Sequence, residues 1–193
     1  MSKTYSEISD RDTIANILKG ETQEYRVLVD RYKNYVYAII VRILNNNEEA
    51  EEAAQDTFIK CFQYLKSFSG KSKFSTWLYR IAFNTAISYK RKPKIVVSGL
   101  ENIMHNVASA EHDTSHGLYQ DDKKNAIENG LLELAPVDAT VLTLFYLKEC
   151  SMEEISKITG IKTNAVKVKL FRARKKLAEV LKNSFSLDME TLL

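Results

Sequence analysis

The sequence predicts an all-α protein of two small helical domains joined by a flexible linker, the C-terminal one a helix-turn-helix. Three observations predict it. Apolar residues recur at the three-and-four spacing that places side chains on one face of a helix. Only two prolines and six glycines occur in 193 residues, which favours long uninterrupted elements. The helical periodicity lapses after Lys94 and resumes at Ala126, dividing the chain into 1–93, a linker 94–125, and 126–193.

The first helix is carried by Tyr25, Leu28, Val29, Tyr32, Tyr35, Val36, Ile39, Ile40, Ile43 and Leu44. Asn45, Asn46 and Asn47 interrupt it, because asparagine favours turns and tolerates left-handed backbone. A second helix is expected to begin near Glu48, with Glu48, Glu49, Glu51 and Glu52 in opening turns where negative charge suits the helix dipole. It would bury Ala54, Phe58, Cys61, Phe62 and Leu65. The polar, basic stretch 67–73 reads as a tight surface loop. Ser75 is the expected cap of a third helix from about Thr76 to Lys92, burying Leu78, Ile81, Ala82 and Thr85 and halted by Pro93. Within the linker, Ile95, Val96, Val97, Leu100, Ile103 and Met104 form an apolar cluster able to bind a partner surface.

In the second domain a helical pattern spans 126–134, and Pro136 opens another helix reaching Leu147, since proline is tolerated in a first helical turn. Ser151 with Glu154 three residues on makes a capping signal, Gly160 is a stop, and Thr163 starts the next helix. Ile155, Ile158, Ile161, Val166 and Leu170 serve as apolar spacers between the two helices of a helix-turn-helix. The second helix would then expose Lys162, Asn164, Lys167, Val168, Lys169, Phe171 and Arg172. Lysine and arginine supply salt-sensitive attraction to phosphates, while asparagine and valine can discriminate base edges. A run of charge is more often a solvated helix face, but here it follows cap-turn-cap punctuation.

Composition is that of a soluble globular protein, with 45% hydrophobic and 27% charged residues. The 28 basic and 25 acidic side chains leave a net charge of only +3, so distribution decides. Between Lys162 and Lys182, Glu179 is the sole acid among eight basic residues. Cys61 and Cys150 lie far apart and read as reduced core thiols. No stretch resembles a signal peptide or approaches the ~20 apolar residues of a membrane-spanning helix, so a cytoplasmic protein without a membrane span is expected.

Two stretches together resemble one family. FSGKSKFSTWLYRIAFNTAISYKR (68–91) is preceded by AEEAAQDTFIKCFQYLKSF from Ala50, and 134–177 includes SMEEISKITGIKTNAVKVKLFRARKKL. These resemble the extracytoplasmic-function group of RNA polymerase sigma factors, which keep two helical domains of the larger sigma family joined by a linker. The resemblance covers about three quarters of the chain.

It implies a subunit that binds core RNA polymerase and directs promoter-specific transcription initiation. The 50–68 helix would dock on the polymerase clamp, with Glu51, Glu52, Gln55, Asp56 and Lys60 as contacts. The 70–73 loop and the 74–91 helix would melt the downstream promoter element and capture an unpaired base. Lys71, Lys73, Arg80, Lys90 and Arg91 would supply charge, Asn84 hydrogen bonds, and Phe74 or Trp77 a stacking platform. For Trp77 alone, burial in the core is the commoner role of such a residue. The helix-turn-helix would read the upstream element as duplex, and an anti-sigma factor would restrain the free protein. Ser88 stands where the family commonly has an acidic residue, and 135–139 departs from its usual proline-led segment.

His105, His112 and His116 lack the cysteine company of a structural zinc site. No phosphate loop, nucleophile–base pair or secluded carboxylate pair is evident, so neither cofactor nor intrinsic catalysis is expected. The competing reading is a free-standing DNA-binding regulator whose N-terminal helices sense a ligand or dimerise.

Overall fold

The computed structural model describes residues 9–92 and 118–190, with side chains described from 125 to 183 in the second stretch. Every regular element among them is helical. The first, α1 (Asp10–Leu18), is not among the helices expected from the sequence and buries only Thr13, Ile14 and Ile17. It starts at Ser9, whose hydroxyl accepts the Asp12 N–H. It is fastened to the next helix by Asp10, whose carboxylate accepts from the Arg31 guanidinium and the Tyr32 hydroxyl.

After a 3₁₀ turn at Thr22–Glu24 comes α2 (Tyr25–Leu44), which buries Leu28, Tyr32, Val36, Ile39, Ile40 and Ile43 as its spacing predicts. Asn45 ends α2 in the left-handed region at φ 52°, and the next side chain, Asn46, accepts the Glu49 N–H at 2.8 Å to open α3 (Asn47–Tyr64). Phe62 does not belong to the core of α3: Cys61 and Leu65 take the inward positions, and Phe62 remains 43% exposed with its ring edge-on to Tyr25.

Helix α4 (Phe74–Arg91) begins two residues before the expected start, which puts Ser75 inside the helix instead of at its cap. The cap position is Lys73, which makes no side-chain capping bond. Burial of Phe74 against Tyr32, Phe68 and Trp77 is the stronger local signal, and it draws the chain into the helix early. Lys92 is extended, as the residue before a proline should be.

In the C-terminal half α5 (Leu118–Leu132) starts inside the expected linker, because its polar opening run carries no apolar periodicity. The apolar cluster from Ile95 to Met104 and the three histidines lie outside the described residues. Helix α6 (Pro136–Tyr146) carries its proline in the first turn. Helix α7 (Met152–Thr159) opens on a complete capping box: the Ser151 hydroxyl accepts the Glu154 N–H at 3.1 Å, and Glu154 Oε2 accepts the Ser151 N–H at 2.8 Å. It closes on Gly160 at φ 74°, a backbone state in which any Cβ would be strained, and α8 (Thr163–Glu190) follows. Ile155, Ile158, Val166, Leu170 and Ala173 fill the angle between α7 and α8, with Ile161 half-buried beside them.

The two helical groups do not stand apart. Helix α2 packs on α6 and α4 on α7, so the buried side chains form one core running from Ile14 to Ala173. Polar groups cross the same seam. Arg42 of α2, nearly buried, pairs with Glu128 of α5. The Lys148 ammonium sits 3.3 Å above the Tyr35 ring centroid, where burial lowers its pKa. Lys73 Nζ lies 3.1 Å from Glu154 Oε1, and the Thr76 hydroxyl donates to that same oxygen at 3.4 Å. Cys61 and Cys150 are both buried and unpaired, and burial pushes each thiol up to about 11.

Candidate nucleic-acid interfaces and docking face

The expected recognition face follows from the helical period of α8. Asn164, Lys167, Val168, Phe171 and Lys175 recur three and four apart, opposite the buried Val166, Leu170, Ala173 line, and all five are exposed. Phe171, 69% exposed, and Val168, 47% exposed, are apolar groups on an otherwise basic surface. Arg172 and Lys162 flank this stripe and are also exposed. Lys169 does not join them. It lies at the edge of the buried line, where its ammonium is 2.8 Å from Asp138 Oδ1 of α6, so its charge is spent within the fold. Spacing alone could not show this, because the partner comes from a helix 31 positions earlier. Lys175, absent from the expected contacts, extends the face by another turn. Arg174 turns away and lies over the rings of Phe145 and Tyr146, at 5.2 and 5.1 Å.

On α4, Trp77, Arg80, Asn84 and Arg91 fall on one stripe, with Arg80, Asn84 and Arg91 exposed. The amide thus stands between two guanidinium groups, an arrangement able to hold a backbone phosphate on either side of a hydrogen-bonded base. Two expected members leave the site. Phe74 is 4% exposed in the aromatic cluster and cannot offer a free ring face. Lys90 donates to the carbonyl of Ile43 at 2.7 Å, where it satisfies the last turn of α2 and complements its dipole. Trp77 is half-buried against Phe68 and Phe74, in keeping with the commoner core role of such a residue. Lys71 is exposed in the preceding loop, and Lys73 is exposed but paired with Glu154.

The expected docking helix, α3, is likewise divided. Glu51, Glu52 and Gln55 are exposed, Glu52 also lying beside the Tyr89 hydroxyl, whereas Asp56 accepts that hydroxyl at 2.8 Å and Lys60 donates to the Thr85 hydroxyl at 3.3 Å. Those last two hold α3 against α4. In their place the outward face carries Ile59, 55% exposed, and Phe62. The result is an acidic surface with an apolar centre, a composition that suits a partner better than solvent.

Comparison with known proteins bears on both halves. Residues 28–94 match the Sigma-70 region 2 family, and residues 124–177 match the family of Sigma-70, region 4. The ECF RNA polymerase sigma factor SigW of Bacillus subtilis is 33% identical, over 92% of this chain and 99% of its own length. The ECF RNA polymerase sigma-E factor of Haemophilus influenzae is 30% identical, over 87% of this chain and 93% of its own. Among solved structures, the sigma factor RpoE in complex with the anti-sigma factor NepR from Bartonella quintana aligns with a TM-score of 0.63 at 23% identity, covering 83% of this chain and 98% of that one. CnrH in complex with the cytosolic domain of CnrY also aligns with a TM-score of 0.63, at 20% identity, covering 90% of this chain and 97% of that one.

Proposed function

The chain belongs to the extracytoplasmic-function RNA polymerase sigma factors, and from that premise we propose how its surfaces divide the work of starting transcription. It binds core RNA polymerase and directs it to promoters, and the chemistry of RNA synthesis stays with the polymerase. The N-terminal domain, 1–93, docks on the polymerase through the outward face of α3, with Glu51, Glu52 and Gln55 around Ile59 and Phe62. The stripe Arg80, Asn84 and Arg91, with Lys71 and Lys73 of the loop before it, melts and holds the downstream element. The C-terminal domain reads the upstream element as duplex through Lys162, Asn164, Lys167, Val168, Phe171, Arg172 and Lys175.

The observation that supports this division most directly is the amide of Asn84 exposed between Arg80 and Arg91 on α4, far along the chain from a second basic face built on a helix-turn-helix. One module suits unpaired strands and the other a major groove. An anti-sigma protein is proposed to hold the free chain, since a protein of the same fold, the sigma factor RpoE from Bartonella quintana, is described in complex with an anti-sigma factor.

The test is transcription with purified core polymerase on promoters located by mapping transcript starts in the native host. Initiation that depends on the added chain, and permanganate-reactive thymines in the downstream element, are expected. Tight duplex binding by the free chain, with no effect on polymerase start sites, would favour a free-standing regulator instead.

A further inference from the structure

We propose that Glu154 is an internal clasp that closes the free chain by occupying Lys73 and Thr76, groups of the proposed melting element, in the way a DNA phosphate would. The inference rests on the reading of that element given above and adds to it a competitor supplied by the chain itself.

Glu154 serves two elements with its two oxygens. Oε2 accepts the Ser151 N–H and completes the capping box of α7. Oε1, turned to the opposite domain, meets the Lys73 ammonium at 3.1 Å and the Thr76 hydroxyl at 3.4 Å. Burial works against its charge, but the Ser151 N–H and Lys73 hold the carboxyl below the usual carboxylate range, so it is ionised at neutral pH. An anion held by an ammonium and a hydroxyl at the opening turn of α4 is the pattern by which a backbone phosphate is bound. While Glu154 is there, the ion pair as a whole carries no net charge and the carboxylate repels a second anion. Closed packing and engagement of DNA by Lys73 therefore compete.

The clasp is weak enough to release. The Lys73 side chain is 72% exposed, so its pairing is screened by salt, whereas Glu154 is only 18% exposed. Cys150, one residue before the cap, reports on the seam: it is 7% exposed, and Lys73 and Tyr79 of the other domain are among its electrostatic neighbours. Cys61, by contrast, lies in the N-terminal domain beside Tyr25 and should not respond to opening.

The experiment uses the full chain carrying Glu154→Gln. Glutamine can still complete a capping box, so α7 keeps its start while the charge is lost. Iodoacetamide labelling, resolved by mass spectrometry at each thiol, should be about two- to fivefold faster at Cys150, the range an exposed ion pair supports, and unchanged at Cys61. Because the Glu154 charge itself raises the Cys150 thiol and Lys73 lowers it, Lys73→Ala alone should also speed Cys150 labelling if opening is the cause. Raising salt should speed Cys150 labelling in the parent more than in the variant. Binding of a mixed-sequence single-stranded DNA should rise by a similar factor, and Lys73→Ala in the same chain should remove the gain. Cys150 labelling that is unchanged while Cys61 is also unchanged overturns the clasp, whatever the DNA result. Faster Cys150 labelling without a Lys73-dependent gain in DNA binding overturns the competition and, separately, the placing of Lys73 at the melting element.

Discussion

Single alanine substitutions at Lys167, Lys169 and Arg172 separate basic residues proposed to face DNA from one that holds the fold. Lys167 and Arg172 are exposed on α8, whereas Lys169 is paired with Asp138 at 2.8 Å, with the two side chains 38% and 25% exposed. Each phosphate contact contributes about −0.9 to the slope of log affinity against log salt on duplex DNA. Over a fourfold rise in salt, losing one contact thus spares the variant about 3.5-fold of the affinity loss seen in the parent. Lys167→Ala and Arg172→Ala should each show that flattening, measured by titrating the polymerase–sigma complex onto an upstream duplex across the salt series. Lys169→Ala should leave the slope unchanged. It should instead lower stability by up to about 1 kcal/mol, the upper range for a pair this accessible, or about 2–4 °C in Tm for a chain of this size. A slope for Lys169→Ala as flat as that for Arg172→Ala, with no loss of Tm, would refute the assignment of Lys169 to the fold.

Asn84→Ala should leave polymerase binding intact but reduce permanganate-reactive thymines in the downstream element, and Arg80→Ala should do so in a salt-dependent way. Ile59→Asp should weaken binding to core polymerase about tenfold, since a central apolar contact is commonly worth more than 1 kcal/mol, and should leave Tm within about 1–2 °C because Ile59 is 55% exposed. The Arg42–Glu128 pair should respond unequally to loss of its two ends. Glu128→Ala strands a guanidinium only 7% exposed and should cost about 1–2 kcal/mol, discounted for the accessibility of Glu128, whereas Arg42→Met removes the buried charge and should be nearly neutral in thermal unfolding.

The helices that carry most of the core were legible because each is its own record. Leu28, Tyr32, Val36, Ile39 and Ile43 state the inward face of α2 by spacing, and Ser151, Glu154 and Gly160 state the limits of α7 by chemistry. The two-domain division was legible too, as a lapse in that periodicity. Lost were the features that depend on a second element. Lys169, Lys90, Asp56 and Lys60 read as free surface charges until their partners Asp138, the Ile43 carbonyl, Tyr89 and Thr85 are in place. Phe62 and Phe74 were exchanged for a similar reason. An aromatic residue is assumed to be inward in a helix and available in a loop, and here the loop-edge ring is buried and the helical one is half in solvent. The domain seam was invisible because its apolar residues double as the cores of α2 and α4.

That seam has a consequence for the order of events at a promoter. In the closed chain the acidic and apolar face of α3 and the basic face of α8 are both exposed, while Lys73 and Thr76 are held by Glu154. A polymerase could therefore meet α3, and a duplex could meet α8, before the domains part. Only Lys73 and Thr76 of the proposed melting element must wait. Parting them exposes side chains that now belong to one continuous core, so the open form must recover that apolar area against a partner. A single weak ion pair can then act as a switch: it need not outweigh the partner's binding energy, only make the free chain prefer closure until docking supplies the difference. On this view Glu154→Gln should shift the behaviour of the free chain more than that of the polymerase-bound one, since in the bound form the clasp is already released.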